Sequence, residues 1–469
     1  MHEAVTPARP AWIDDGGRPG TVPLAVIGVG ASATFLLSAL ARTLGELPRI
    51  VLVEKERCPG PGVAYRTADP ELRMNVRACQ LTAVADQADH FTRWAAGVVP
   101  GTQADDYVPR ALYGRYLREV LDAATASPSP VVRIRAEVVA VEPEADGVRV
   151  LGTDGELVRA ERAVLALGVP PTAAARFVIA PEVRAAGRMV DDPWGPEGLE
   201  PLAGARRVVI VGTGLTMVDV ALTLLGRLGV REVLAVSPSG ALPAAHPVVR
   251  RVAERAVEGP PLGTAAEVVR WVRTTVADEP AGWAAALDAI RWEANGIWAG
   301  LPVDEQVRLL RLTRSRWSRL RHRMPPEVAA RLHEARDRGR LRLCAGRVES
   351  VERGVDGAVV RVRRRAAHDL RLDADGVVNA AGAPGVWSSP DPVVRALIDG
   401  NRVGVDPHGQ GLAVGSDGTA LAPDGTPVPG LSVLGALRRG SELEATAVPE
   451  LRAQASALAD HLCQRFAAT

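Results

Sequence analysis

The sequence predicts an α/β chain: two parallel-sheet domains built on the same strand–turn–helix unit, with a helical insertion in the second. Three observations carry this. A strand, a glycine turn, a helix and a second strand follow one another from Val22, the same order recurs from Arg206, and the stretches downstream of the two units match. A chain of 469 residues has room for two or three domains.

The first unit opens with "VPLAVIGVGASATFLLSALA", Val22 to Ala41, which carries no charge. About twenty such residues equal a bilayer span in length. A membrane helix, however, has no use for glycines at Gly28 and Gly30. Leu24–Ile27 reads as a buried parallel strand with Pro23 at its start, where a missing N–H is tolerated. Gly28 to Ala33 makes a turn, Ala33 to Leu44 a helix ending at Gly45, and Ile50–Val53 a second strand ending in Glu54. This is the order of a Rossmann-like, dinucleotide-binding βαβ unit. Gly28 permits the tight turn, Gly30 lets the backbone approach a pyrophosphate, and Ala33 stands where close helix–strand packing needs a small residue. The helix N-terminal N–H groups, around Ala31 and Ser32, face the phosphates. Glu54 is placed to accept from ribose hydroxyls.

The second unit, "RRVVIVGTGLTMVDVALTLLGRLGVREVLAVSPSG", places a strand at Val208–Val211, a turn at Gly212-Thr213-Gly214, a helix from about Leu215 to Leu228, and a strand at Glu232–Val236. Asp219 interrupts the apolar helix and argues against a membrane span. Met217 occupies the third glycine position, so looser packing is expected there. Each unit is followed by an alternating meander and an apolar strand ending in Leu167-Gly168 or Ala381-Gly382. Small residues at those ends let the chain pass close to a nucleotide. Two copies with matched tails suit two cofactors and electron transfer between them.

A helical, Trp- and Arg-rich segment, about 262–340, separates the second unit from its meander. At helical spacing Trp292, Trp298 and Trp317 read as packing residues. Arg319, Arg321, His322 and Arg323 form the one dense basic patch, either a solvated helix end or a contact for a substrate anion. A strand at Leu431–Leu434 precedes a C-terminal helix starting near Ala447, with Pro449 in its first turn. That helix N-terminus either faces an electron-rich ring edge, bordered by Glu444, Thr446 and Ala447, or is a surface helix capped by Thr446.

The remaining features are exclusions. A net charge of +1, 47% hydrophobic and 24% charged residues give no case for nucleic acid or a membrane. Basic residues are nearly all Arg, with Lys55 the single lysine, so one Arg alone is weak evidence for an anion site. Cys58, Cys79, Cys344 and Cys463 show no C-x-x-C spacing, which points away from zinc or a redox pair and fits reduced thiols in a cytoplasmic protein. Residues 1–20 read as a loose extension without the pattern of a signal peptide. The expected domains are 21–170 and 381–469 for one nucleotide-binding body and 171–380 for the other. No metal site is expected, and oligomeric state is not legible.

Several stretches are distinctive: "PGPGVAYRTADPELRMNV", "YVPRALYGRYL", "WSRLRHRMPPEVAARL" and "GSELEATAVPELRAQA", beside the two glycine turns. Together they resemble the bacterial FAD/NAD(P)-binding proteins that include FAD-dependent urate hydroxylases and aspartate N-monooxygenases. The resemblance spans about residues 24–458 and implies a glutathione-reductase-like two-domain flavoprotein. It implies that Gly28, Gly30, Ala31, Ser32, Glu54 and Lys55 hold the ADP half of FAD. Gly62, Val63, Ala64, Tyr65, Asn75 and Val76 would line the flavin side, with Gly168, Gly382, Gly435, Thr446 and Ala447 completing the site. Gly212, Thr213, Gly214, Thr216, Asp219 and Ser237 would take the nicotinamide nucleotide. The physical reading of Asn75 agrees, since a neutral amide bonds flavin oxygens without adding charge.

The activity implied is a flavin monooxygenase using NADPH or NADH and O2 to hydroxylate a nitrogen or a carbon of a small substrate, with Asn75, Tyr65, Arg438 and Glu444 as catalytic candidates. Arg438, Arg439 and the Arg319–Arg323 patch hint at an anionic substrate. A flavin oxidase or dehydrogenase taking electrons directly from substrate is the alternative, and a non-catalytic FAD-binding accessory protein a third. Related proteins often carry Ser-Arg after the second strand of the second unit, where Arg grips the NADPH 2′-phosphate. This chain has Ser237-Pro238-Ser239-Gly240. Arg250 or Arg251 would have to fold back, so the choice of nicotinamide cofactor, and its use at all, stays open.

Overall fold

The computed structural model describes residues 21–126, 131–169, 177–195, 198–254, 257–365, 367–382 and 385–466. The expected extension 1–20 lies outside them. No helix among the described residues is long and apolar enough to cross a membrane.

The chain starts with β1 (Val22–Ile27), α1 (Ala31–Leu44) and β2 (Ile50–Glu54). There follow α2 (His90–Val98), α3 (Arg110–Thr125) and β3 (Val131–Arg135), then the meander β4 (Val138–Glu144), β5 (Gly147–Gly152) and β6 (Gly155–Leu165). The second body comprises β7 (Val178–Ile179), α4 (Pro181–Ala185), β8 (Met189–Val190), β9 (Arg207–Val211), α5 (Leu215–Leu225) and β10 (Glu232–Ser237). Four helices come next: α6 (Ala265–Asp278), α7 (Trp283–Gly300), α8 (Val303–Arg321) and α9 (Pro326–Asp337). The strands β11 (Leu341–Ala345), β12 (Arg347–Arg353), β13 (Ala358–Arg363), β14 (Leu370–Ala374) and β15 (Gly376–Asn379) close that body. The chain then returns to the first body with α10 (Pro392–Asp399), β16 (Thr419–Leu421), β17 (Pro427–Val433) and α11 (Val448–Phe466).

In the first sheet β17, β6, β1, β2 and β3 lie side by side and parallel, with β16 antiparallel at one edge. Both faces are covered, which explains why β1 and β2 are apolar without alternation. Phe35, Leu36, Tyr113, Leu117 and Leu458 of α1, α3 and α11 pack one face. The meander and α10 pack the other through Val141, Val150, Val394 and Leu397. The second sheet, β11-β10-β9-β15-β8, is parallel throughout, and its meander joins β7 in a separate sheet. The fold is thus the two-domain α/β architecture of glutathione-reductase-like dinucleotide-binding proteins.

The helix ends differ slightly from the sequence expectation. α1 starts at Ala31 rather than Ala33, with Gly30 as its N-cap. α5 stops at Leu225, because Gly226 follows it as C-cap. The looser packing expected at Met217 is not found: its side chain is fully buried with Val208, Val218 and Leu332. The thioether fills the space that a smaller residue would have left. The helical segment also divides. α6, α7 and α8 gather around their own small cluster of Trp298, Leu301 and Leu309, whereas α9 covers the second sheet through Val328, Ala329 and Leu332.

Candidate functional site

The two glycine turns are built alike. At the end of β1, Gly28 has φ +82°, its N–H donates to the Val53 carbonyl at 2.9 Å, and a Cβ there would sit 2.7 Å from the Ala166 oxygen. At the end of β9, Gly212 has φ +117°, its N–H donates to the Val236 carbonyl at 2.7 Å, and a Cβ would overlap the Ala380 oxygen. Glycine is therefore required at both positions by conformation and by space. Ala166 and Ala380 each lead into a positive-φ glycine, Gly168 and Gly382, around which a Cβ would meet nothing.

The first turn carries further construction. Glu54 at the end of β2 accepts from the Val29 N–H at 2.7 Å through Oε2 and from the Glu56 N–H at 3.0 Å through Oε1. Its carboxylate is thereby fixed beside the turn, with lone pairs left for ribose hydroxyls. Lys55 is exposed and reaches Glu137 at 3.5 Å. Gly30 has no side-chain cap, so the N–H groups of the first turn of α1, at Ala31 and Ser32, keep their donor capacity. Gly62, with φ +67°, faces Gly30, and a Cβ on either would lie 3.4 Å from the other's Cα. The Gly60 N–H donates to the Val29 carbonyl at 2.7 Å, which holds the two bare loops against each other. A cradle without side chains at the N-terminus of a helix suits a pyrophosphate.

Beyond Gly62, Val63 to Tyr65 form one 3-10 turn. The Tyr65 ring meets Tyr113 edge-on at 4.9 Å, and burial pushes its phenol up, against the pull of Arg110. Asn75 and Val76 lie on the segment after Met74, which is tied to Val108 by a 2.8 Å backbone bond. The Asn75 carbonyl accepts from His246 Nε2 at 2.9 Å, so that ring carries its proton on Nε2. Ser32 is buried against Gly435 (φ +85°), whose N–H donates to Gln454 of α11 at 3.0 Å. The structure thus brings the first turn, the Gly62 loop and the start of the C-terminal helix together. Thr446 is exposed and Ala447 half-buried just ahead of α11.

At the second turn Thr213 and Ser237 share a 2.8 Å hydroxyl–hydroxyl bond, and the Gly240 N–H donates to Ser237 Oγ at 3.0 Å. Gly214 is exposed with open space where a Cβ would point, and Thr216 is half-buried in the first turn of α5.

Four site expectations need correction. Asp219 is buried and pairs with Arg110 of the first body at 2.6 Å, so it holds the two bodies together rather than touching a nucleotide. Thr223 of the same helix donates to Asp69 at 2.8 Å in a second such contact. Arg438 is 3% exposed, pairs with Glu442 at 2.5 Å and donates to the Ser416 carbonyl at 3.2 Å, which leaves it no path to a substrate. Glu444 is also buried, accepting from Trp317 Nε1 at 3.1 Å and pairing with Arg321 at 3.1 Å; it positions neighbours and is no acid or base in a cleft. The Arg319–Arg323 patch divides: Arg319 is exposed, as in a solvated helix end, whereas Arg321 and Arg323 are buried and paired, the latter with Asp288, and offer no anion seat.

Of the three tryptophans, Trp298 is buried and donates to the Gly440 carbonyl at 2.8 Å, whereas Trp292 is 58% exposed and so is no core residue. Asn295 of α7 clamps the backbone of Glu444 from both sides, donating to its carbonyl and accepting from its N–H, each at 2.8 Å. Arg291 makes a bidentate pair with Glu450 in the first turn of α11. Together these contacts seat the helical segment on residues 440–450.

The surroundings of His246 were missed by sequence reasoning. Arg77 is buried, donates to the Asp105 and Pro247 carbonyls at 2.9 Å each, and lies over the Tyr107 ring at 5.0 Å. Arg250, expected to fold back to the second turn, instead donates to Cys79 Sγ of the first body at 3.6 Å. Arg364 lies against Gly346, whose N–H donates to the Ser237 carbonyl at 2.9 Å. Contacts spanning 170 and 171 positions leave no signal in local spacing.

Burial, with Arg323 next in effect, drives the His246 ring down to about 3. The folded chain therefore refuses a proton that the unfolded chain takes up near pH 6.5. Stability from this group is intact above pH 6.5 and falls as pH drops toward 3. His246→Gln, which keeps a donor for the Asn75 carbonyl, should lose about 2 kcal/mol less than the parent between pH 7 and 5. Denaturant unfolding at the two pH values measures this; equal losses would show that His246 does not titrate in that way.

Residues 25–170 match the model of a FAD-NAD(P)-binding family. No curated protein sequence matches the chain. Among solved structures, ornithine hydroxylase from Pseudomonas aeruginosa is similar at 16% identity and a TM-score of 0.65, covering 95% of this chain and 100% of that one. Ornithine N-hydroxylase from Kutzneria sp. 744, with reduced FAD, NADP+ and L-ornithine, follows at 17% and 0.63, with the same coverage. Thioredoxin reductase from Lactococcus lactis is similar at 11% and 0.56, covering 96% and 100%. At these identities the likeness is one of fold. Among the described residues no group of three or more His, Cys, Asp or Glu could hold a metal.

Proposed function

We propose that this chain is an FAD-dependent monooxygenase that uses NAD(P)H and O2 to hydroxylate a nitrogen of a small substrate. The observation that carries the reading is the duplicated construction of Gly28 on Ala166 and Gly212 on Ala380, which provides two dinucleotide seats in one chain. The first seat fits FAD: the Gly30–Gly62 cradle takes the pyrophosphate, Glu54 the ribose, and Tyr65, Asn75 and Val76 border the ring. FAD, when bound, passes electrons from NAD(P)H to oxygen and supplies the oxygen-transfer chemistry.

The chain's own residues hold and screen. Arg291 and Arg321 neutralise Glu450 and Glu444, so the N-terminus of α11 keeps its positive end for an electron-rich ring edge. The Kutzneria N-hydroxylase, similar in fold, holds NADP+, which supports NADPH as the nicotinamide nucleotide here. The intact second turn counts against an oxidase that needs no nicotinamide. The similar ornithine N-hydroxylases support hydroxylation at nitrogen over ring carbon. A dithiol-dependent disulfide reductase is disfavoured, since Cys58, Cys79, Cys344 and Cys463 form no C-x-x-C pair. Free thiols also support a cytoplasmic location.

The test is oxygen uptake by the purified flavoprotein with NADPH or NADH and a panel of small amines. A true substrate raises uptake and yields a hydroxylamine by mass spectrometry. Uptake driven by an organic substrate in the absence of any nicotinamide would replace this reading with the oxidase.

A further inference from the structure

A line of aromatic rings crosses the first body. Aromatic residues are scarce in this chain, at 4%, yet three of its four tyrosines lie in this line. Tyr65, in the turn after Gly62, meets Tyr113 of α3 at 4.9 Å between ring centres. Tyr113 meets Tyr116 at 5.8 Å, and Tyr116 meets Trp94 of α2 at 5.2 Å. Phe91 packs on Tyr113 and Tyr116 at 5.4 and 5.0 Å. The i, i+3 spacing of Tyr113 and Tyr116, and of Phe91 and Trp94, turns each pair to one side of its helix, where the two pairs meet.

Packing accounts for the rings but not for their polar groups. Tyr113 is fully buried, and its hydroxyl has no hydrogen-bond partner among the described residues. Leaving such a group unpaired costs stability that phenylalanine would keep. What a phenol adds is that it gives up an electron far more readily than a phenyl ring. The Tyr116 hydroxyl accepts from the Ala83 N–H at 3.0 Å and lies 2.8 Å from His90 Nδ1. Burial, then Arg93 and Arg42, hold the His90 ring below its usual value against the pull of Asp89. At neutral pH the ring is therefore uncharged, and the nitrogen facing the phenol takes up a phenolic proton. At the outer end Trp94 is half-buried and donates from Nε1 to Glu119 at 2.6 Å. That carboxylate favours positive charge on the indole and offsets Arg115, which lies over the ring at 5.8 Å and pairs with Glu119 at 3.0 Å.

The geometry points to an electron relay, in which Tyr65, Tyr113, Tyr116 and Trp94 pass an electron stepwise from the surface to an oxidant at the flavin seat, with Tyr116 and His90 holding the oxidised state. The inference rests on the flavin reading of the first seat. Tunnelling falls exponentially with distance, so short steps between touching rings outrun one long jump. An oxygen-centred radical formed where O2 is reduced takes one electron through Tyr65 and becomes its anion. Tyr116 loses that electron, and its phenolic proton moves to His90. A thiolate or ascorbate in solution then returns one electron through Trp94 and becomes the radical, while His90 returns the proton. The relay thus draws damaging oxidant away from the site when no substrate consumes it.

The probe oxidant is the flavin itself under blue light. The holoprotein, its FAD content read from absorbance, is illuminated, frozen and examined by electron paramagnetic resonance. A tyrosyl radical should appear, and ascorbate should erase it, more slowly in Trp94→Phe. Tyr113→Phe should lose the radical, yet match or exceed the parent in chemical denaturation, because only an unpaired hydroxyl is gone. His90→Gln, which keeps a hydrogen-bond partner for the phenol but no base, should lose it too. Tyr107→Phe, the tyrosine outside the line, should keep it. A radical of parent strength in Tyr113→Phe overturns the relay, as does its loss in Tyr107→Phe. Retained FAD without any tyrosyl radical sinks the relay and leaves the flavin reading; a chain that retains no FAD sinks both.

Discussion

Gly30→Val should yield a folded protein that purifies without FAD. A Cβ at Gly30 meets only the Gly62 Cα, at 3.4 Å, and the residue has negative φ as N-cap of α1, so the fold tolerates a side chain. The branched chain instead fills the gap between the two bare loops. A pyrophosphate there loses both its approach to the backbone and the N–H groups of α1. We expect flavin content to fall to less than about a tenth of the parent, with far-ultraviolet circular dichroism unchanged. Normal flavin retention would contradict the assignment of this turn. Gly28 is the wrong position for the same test, because φ +82° and the Ala166 oxygen make any side chain there a folding defect.

Arg291→Leu should destabilise the chain by about 3–5 kcal/mol. The guanidinium and its partner Glu450 are both buried, so the substitution leaves a carboxylate in the interior with only a 3.6 Å contact to Arg321. Arg321 is itself held by Glu444, and burial lowers its proton affinity. Two cations and two anions balance in this cluster, and removing one unbalances it. Arg291→Leu with Glu450→Leu restores the balance and should recover most of the loss. Chemical denaturation of the parent, the single and the double variant measures both effects. A single variant as stable as the parent would show that the pair carries no net stability.

The helix carrying Arg291 also clamps Glu444 through Asn295. Loss of the pair should therefore loosen the start of α11 as well as the helical segment. This makes Glu444 and Arg438, expected from the sequence to be catalytic, parts of a support. The sequence shows an acid and a base near a helix N-terminus but not their burial. In an Arg-rich chain burial is what separates a support from a binding group, and it depends on contacts such as Arg321–Glu444, 123 positions apart.

The turns were legible for the opposite reason. β1, Gly28, Gly30, α1 and Glu54 are close in sequence, and their spacing is dictated by one local geometry. The same holds for β9, Gly212 and α5. Met217 shows the limit, because residue size at one position does not reveal how its neighbours close around it. Asp219 shows another: a lone acid in an apolar helix signals a buried partner, yet nothing local names Arg110 as that partner. A cavity lined by Arg77, His246 and Trp283 draws on three separate parts of the chain and has no sequence signature.

With FAD at the first turn and a nicotinamide at the second, as proposed, electrons pass from the second to the first. Anaerobic mixing of the purified flavoprotein with NADPH, and separately with NADH, tests it most directly. At least one of them should bleach the flavin absorbance, and admitting oxygen should restore it. Flavin that stays oxidised with both nucleotides, with or without candidate amines present, would contradict the account.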